Sequence, residues 1–90
     1  MKSRINIRVF GQVQGVFFRA GVQSEAKRLD LFGWVMNHSD GSVELIAEGE
    51  LSKLEQLLEW CMAGPAEASV SHCEYVWQEN KNEFTTFEIR

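Results

Sequence analysis

Positive charge, proline and cysteine are all scarce in this chain. Nine Lys and Arg stand against 13 Asp and Glu, a formal net charge of −4. That balance argues against a nucleic-acid binder, which would usually carry a basic face or stripe. That partner class is therefore not expected. A small anion remains compatible with the balance, because one local Arg plus backbone donors can outweigh a distant negative field. No apolar run approaches membrane-spanning length, so no membrane partner is expected. Met1-Lys2-Ser3-Arg4 leads straight into alternating residues rather than a signal peptide. The two cysteines, Cys61 and Cys73, form neither a CxxC pair nor a Cys/His spacing that suits zinc. Two buried free thiols are the simpler reading, with a disulfide between them left open. A cytoplasmic protein with reduced thiols follows as the expectation. Pro65 is the single proline, and there is no linker or low-complexity segment. The 90 residues are read as one domain.

Hydrophobic residues make up 44% of the chain, enough for a modest core. Ile5, Ile7 and Val9 alternate with Arg4, Asn6 and Arg8, which predicts a half-buried strand. From Phe18 to about Leu31 the period changes. Phe18, Val22, Ala26 and Leu29 share one helical face, and Gly33 is the expected stop residue. Trp34 to Asn37 reads as a strand, Ser39-Asp40-Gly41 as a hairpin turn, and Val43, Leu45 and Ala47 as the next strand, broken by Gly49-Glu50. Ser52 and Glu55 match a capping box ahead of a second amphipathic helix through Leu54, Leu57, Leu58 and Cys61, which Gly64-Pro65 ends. Ser71 to Gln78 is strand-like, Glu79 to Asn82 a polar turn, and Thr85, Phe87 and Ile89 a closing strand. The order is β-α-β-β-α-β with the last position split into a hairpin. It predicts an α+β, ferredoxin-like α/β sandwich (βαββαβ), an antiparallel sheet carrying two helices on one face and wet on the other.

The stretch Gly11-Gln12-Val13-Gln14-Gly15-Val16-Phe17-Phe18-Arg19 lies between the first strand and the first helix. Backbone N–H groups at a helix start have no intrahelical partner, and the dipole there favours negative charge. Glycine allows the backbone to approach an anion closely. Arg19 adds a planar fork suited to phosphate oxygens. Without an anion, a cation at the positive helix end is mildly unfavourable. Taken alone, Gly11 and Gly15 could be plain turn glycines, and no Gly-Lys-Ser/Thr follows to make a nucleotide loop.

This stretch, with Gly33-Trp34-Val35-Met36-Asn37, Gly41, Val43 and Gly49, closely resembles the paired signatures of the acylphosphatase family. Gly64-Pro65 and Phe87-Glu88-Ile89-Arg90 extend the resemblance over nearly the whole chain. The resemblance implies a metal-free and cofactor-free hydrolase. Its substrate would be a small-molecule acyl phosphate, and its products a carboxylate and inorganic phosphate. It further implies that Arg19 binds the phosphoryl group, that backbone N–H groups of Gln12, Val13, Gln14, Gly15, Val16 and Phe17 complete the cradle, and that Asn37 orients the attacking water. Gln12 and Met36 depart from the commonest pattern, which often has Arg or His at the first and Lys or Arg at the second. Both changes remove positive charge near the cradle.

The residue chemistry is compatible with that role. An acyl phosphate already has a good leaving group, so positioning and charge stabilisation carry most of the work. A neutral amide such as Asn37 can both donate and accept. No Ser-His-Asp or Cys-His arrangement provides a covalent nucleophile. His38 adjoins the turn and His72 begins a strand, and both read as surface or structural groups. Asp40, Glu44, Glu48 and Glu50 lack calcium-loop spacing and read as a hairpin's solvated edge. Trp34, Trp60 and Trp77 read as core and near-core bulk. Phe17 is a candidate for the mouth of the cradle, meeting the acyl group. The rival reading is a non-catalytic ferredoxin-like regulatory or accessory ligand-binding module, such as an RNA reader using Phe10 or a domain of a larger carbamoyl-transfer protein. A chain that ends at its last strand is expected to be the free-standing enzyme, a monomer.

Overall fold

Ile5, Ile7 and Val9 are fully buried while Asn6 and Arg8 are half-buried, the alternation expected of a strand with one face on a core. A computed structural model describes residues 1–90. These residues belong to β1 (Lys2–Gln12), followed by α1 (Phe18–Arg28), β2 (Phe32–Asn37), β3 (Val43–Glu50), α2 (Leu51–Ala63), β4 (Ser69–Gln78) and β5 (Phe87–Ile89). The sheet order is β4-β1-β3-β2-β5. β1 pairs antiparallel with β3 and β4, and β3 antiparallel with β2. Register places Ile5 opposite Ala47, Ile7 opposite Leu45 and Val9 opposite Val43, so one face of the sheet is continuously apolar. Val22 and Ala26 of α1 and Leu54 and Leu57 of α2 cover that face, in a single cluster of 18 buried residues. This is the ferredoxin-like arrangement expected from periodicity. No helix is long and apolar enough to cross a membrane.

The two last strands do not form a hairpin. β5 lies at the opposite edge from β4 and runs parallel to β2, with Gly33 opposite Phe87 and Val35 opposite Ile89. The segment between them crosses the face that was expected to be wet. Glu48 holds it there. Its carboxylate accepts the Lys81 and Glu83 amides at 2.8 and 3.0 Å, and Arg4 bonds both Glu48 and Glu83 beneath the Phe84 ring. Glu48 is only 3% exposed, so it is not part of a solvated edge. A buried carboxylate is stable here because its oxygens are hydrogen-bonded and paired with a cation.

Local signals placed several ends one to three residues away, and two of them on the wrong residue. α1 stops at Arg28, and Asp30 (φ 61), not Gly33, is the left-handed stop residue. The Leu31 amide reaches the Ala26 carbonyl at 2.8 Å and the Asp30 amide the Lys27 carbonyl at 3.1 Å, the paired bonds of a Schellman ending. Gly33 instead lies inside β2, where a Cβ would fall 1.8 Å from the Ile46 carbonyl oxygen of the neighbouring strand. Gly49-Glu50 does not break β3, which runs on to pair with Lys2 and Ser3. Glu50 therefore occupies the N-cap of α2 in an extended conformation, without a side-chain cap bond, and Ser52 and Glu55 lie inside the helix. The Leu51 amide is satisfied by the Met1 carbonyl at 2.9 Å. β4 is an outer strand, so Trp77 is exposed rather than near-core, as is Tyr75, while Trp34 and Trp60 are half-buried. Cys61 is buried and Cys73 half-buried, both as free thiols. Burial raises the Cys61 thiol far above its ordinary pKa, and the nearby Cys73 and Glu25 add to the effect.

Candidate active site

Between β1 and α1 the chain turns through two left-handed residues, Gly15 (φ 74) and Phe17 (φ 63). Alternating left- and right-handed residues make successive amides converge on one point. None of the backbone N–H groups from Val13 to Ala20 donates to another group of the protein. The first helical bond of α1 is from Gly21 to the Phe17 carbonyl, at 3.0 Å. Phe17, the N-cap, supplies no side-chain acceptor, and the first turn carries no acidic residue. The positive end of α1 is thus left without the usual compensation. Arg19, in that same turn, adds a full positive charge.

Arg19 is half-buried, and its Nη1 donates to the main-chain carbonyl of Arg90 at 3.0 Å. That carbonyl is fixed because the Arg90 amide donates to Val35 at 2.8 Å. The parallel pairing of β5 with β2 therefore supplies the brace that aims the guanidinium. Arg19 is also the only charged side chain lining a cleft of about 260 Å³ at this point of the fold. Gly15 lines the same cleft, with Val13 and Phe18 buried as its floor. On the other wall is Asn37, the last residue of β2. Its Oδ1 is buried and has no hydrogen-bond partner in the protein. A buried polar oxygen without a partner costs roughly 1–3 kcal/mol, a cost that a bound water or ligand on Asn37 would remove.

Gln14 joins the two walls. Its Nε2 donates to the carbonyls of His38 and Ser42, at 2.7 and 2.9 Å, at the two ends of the β2–β3 turn. The same turn is closed by the His38 amide on the Ser42 carbonyl at 2.9 Å and stiffened by Asp40, which accepts from the Ser42 amide and hydroxyl. Those Ser42 bonds, with the charge of Arg8, hold the Asp40 carboxyl below its ordinary pKa.

The structure thus brings together Arg19, Asn37, Val13, Gly15 and Phe17. Gln12 ends β1 in register with Ser69 and does not line the cleft. Val16 packs partly buried against the core, and Gln14 faces the turn. His38 lies beside Glu44, with Nε2 2.6 Å from Oε1, and stays outside the cleft. Burial pushes the Glu44 carboxyl up, but hydrogen bonds from Asn6 and His38 and the charge of Arg8 outweigh it and leave the pKa lowered. His72 is exposed on β4 beside Glu74 and the Phe10 ring. Phe10 is half-buried with the Arg8 guanidinium 5.6 Å from its ring, so it is no open platform for a base. Three contributions escaped the sequence reading: Ala20, Ile89 and the Arg90 carbonyl. The spacing of Ala20 from Phe17, one helical turn, was an available signal. Ile89 and Arg90 depend on the parallel placement of β5, which no local pattern carries.

A family model described as Acylphosphatase matches residues 5–89. An acylphosphatase of Aeropyrum pernix is 48% identical over 88 residues, covering 97% of this chain and 87% of its own. That of Pelotomaculum thermopropionicum is 40% identical over 88 residues, covering 98% and 96%. The solved structure of an acylphosphatase from Coxiella burnetii matches with a TM-score of 0.93 at 40% identity, over 99% of this chain and 93% of that one.

Proposed function

The chain belongs to the acylphosphatase family, hydrolases that split the carboxyl–phosphate bond of acyl phosphates, and we propose that it does so with Arg19, the amides of residues 13–20 and Asn37. The observation that carries these roles is a single cleft. Loop residues whose amides have no acceptor in the protein line it together with a braced guanidinium and Asn37, whose buried amide oxygen has no partner. The phosphoryl oxygens take the amides and the Arg19 fork, which neutralise charge where it collects during transfer. Asn37 accepts from and donates to one water, holding it in line with the bond to the departing carboxylate. The water oxygen bonds to phosphorus as the phosphorus–oxygen bond to the acyl group breaks. The carboxylate leaves with that electron pair, and a phosphate oxygen receives the water's proton. No side-chain base or metal is needed on this account. A site that needs no residue from a second copy is compatible with a monomer.

Hydrolysis in heavy-oxygen water tests the route of attack. The label is expected in inorganic phosphate, read by mass spectrometry; label in the carboxylate would mean attack at the acyl carbon and would remove the role given to Asn37.

The Gln14 strut gives a second expectation. Gln14→Met keeps the chain length but donates nothing to His38 and Ser42, so the turn bearing Asn37 loosens relative to the anion loop. Turnover is expected to fall roughly ten- to hundredfold, the scale of a small misplacement of a reacting group. In an Asn37→Ala background the same change is expected to cost little more, because both act on one water. Fully multiplicative losses would show that Gln14 works independently of Asn37.

A further inference from the structure

We propose that this enzyme selects acyl phosphates with uncharged, apolar acyl groups, and that Phe17 and Ile89 form the shelf that recognises them. The proposal rests on the phosphoryl placement above. With Gly15, Arg19 and Asn37 committed to the phosphoryl group and the water, and Val13 and Phe18 buried as floor, the cleft has three lining residues left. They are Phe17, Ala20 and Ile89, all exposed and all apolar. In-line displacement sends the departing oxygen away from the water, so the acyl group must leave the cradle on surface not used for the phosphoryl group.

Phe17 is the strongest sign of a role. It is 77% exposed and lines the cleft, so its ring is free to cover a bound group. It also sits in the left-handed region (φ 63, ψ 23), which is disfavoured for a bulky side chain and common at ligand-handling positions. The loop uses that backbone conformation to converge its amides, and a phenyl side chain rather than a glycine stands there, at the lip of the cleft. Ile89, 41% exposed, faces the same cleft from β5. Together they offer apolar area that a flat or aliphatic acyl group would cover.

Charge argues in the same direction. Arg19 is the only charged side chain of the cleft, and the phosphoryl group occupies it. An acyl group bearing its own carboxylate would find no second cation there. Arg90, next in sequence to Ile89, has its guanidinium 5.1 Å from the Trp34 ring and 3.8 Å from Glu88.

The test compares kcat/KM for benzoyl, acetyl and succinyl phosphate in the wild type, Phe17→Ala and Ile89→Ala. Ratios between substrates within one protein cancel any common loss in the phosphoryl machinery. The wild type is expected to prefer benzoyl phosphate and to be poorest with succinyl phosphate. The benzoyl-to-acetyl ratio is expected to fall roughly fivefold to tenfold in Phe17→Ala, the scale of one aromatic contact, and by less in Ile89→Ala. Ratios within twofold of wild type in both variants, or a wild type that favours succinyl phosphate, would overturn the shelf and leave the catalytic account standing. A wild type inactive on all three would overturn both.

Discussion

Arg19→Ala is expected to lower kcat/KM for benzoyl phosphate by at least about a thousandfold, the scale on which a guanidinium supports phosphoryl transfer. The cleft has no second charged group to take its place. Inorganic phosphate, which uses the same donors, is expected to lose its inhibition in parallel. Stability separates this from a folding defect. Arg19 places a cation at the positive end of α1, where no acidic residue compensates it. Its removal relieves that repulsion while giving up one exposed bond to the Arg90 carbonyl. The two terms are of similar size, so the melting temperature should stay near wild type or rise slightly. Arg19→Lys is a sharper form of the same prediction. It keeps the charge but loses the planar fork, and activity should still fall about a hundredfold or more. A nearly active lysine variant would mean that Arg19 contributes charge alone.

Asn37→Ala is expected to show the opposite division. Turnover should drop roughly a hundred- to a thousandfold, because the attacking water loses its orientation. The inhibition constant for inorganic phosphate should change by no more than a few fold, since the amides of residues 13–20 and Arg19 remain. The same variant removes the buried Oδ1 that has no partner in the protein. Because that oxygen bonds only to water, its loss should leave the melting temperature near wild type. If phosphate binding and turnover fall together, Asn37 belongs to the anion cradle rather than to the water.

How much of this was legible in the sequence differs between its two halves. The strand–loop–helix unit from Ile5 to Ala26 could be read directly. Its periodicity switches from two to 3.6 at Phe18, and the loop residues fall where an anion cradle needs them. Arg19 and Asn37 stood in signatures whose resemblance to a family was specific, and the structure sets both on one cleft. In the C-terminal third both strands were found, but their pairing was misread because its determinants are not local. Glu79 to Asn82 has the composition of a turn, yet its path is set by Glu48, which lies more than thirty residues earlier. Glu48 in turn depends on Arg4, which stands opposite it in β1 and supplies the cation its buried carboxylate needs. No window of neighbouring residues contains that pair. The same holds for the helix ends. Ser52 and Glu55 form a valid cap signature, but β3 continues to Glu50 and leaves no room to use it. Asp30 rather than a glycine closes α1 because Asp tolerates the left-handed conformation well enough once the Schellman bonds form. The misplacement of β5 had a functional cost, since Ile89 and the Arg90 carbonyl enter the site only through its parallel pairing with β2.

The most direct test is the hydrolysis of benzoyl phosphate followed by ultraviolet absorbance, with wild type and Arg19→Ala side by side and a chelator present throughout. Rapid turnover by the wild type, unchanged by the chelator and lost in the variant while its fold persists, is the predicted result. Turnover that survives in Arg19→Ala, or that the chelator abolishes in the wild type, would contradict the account.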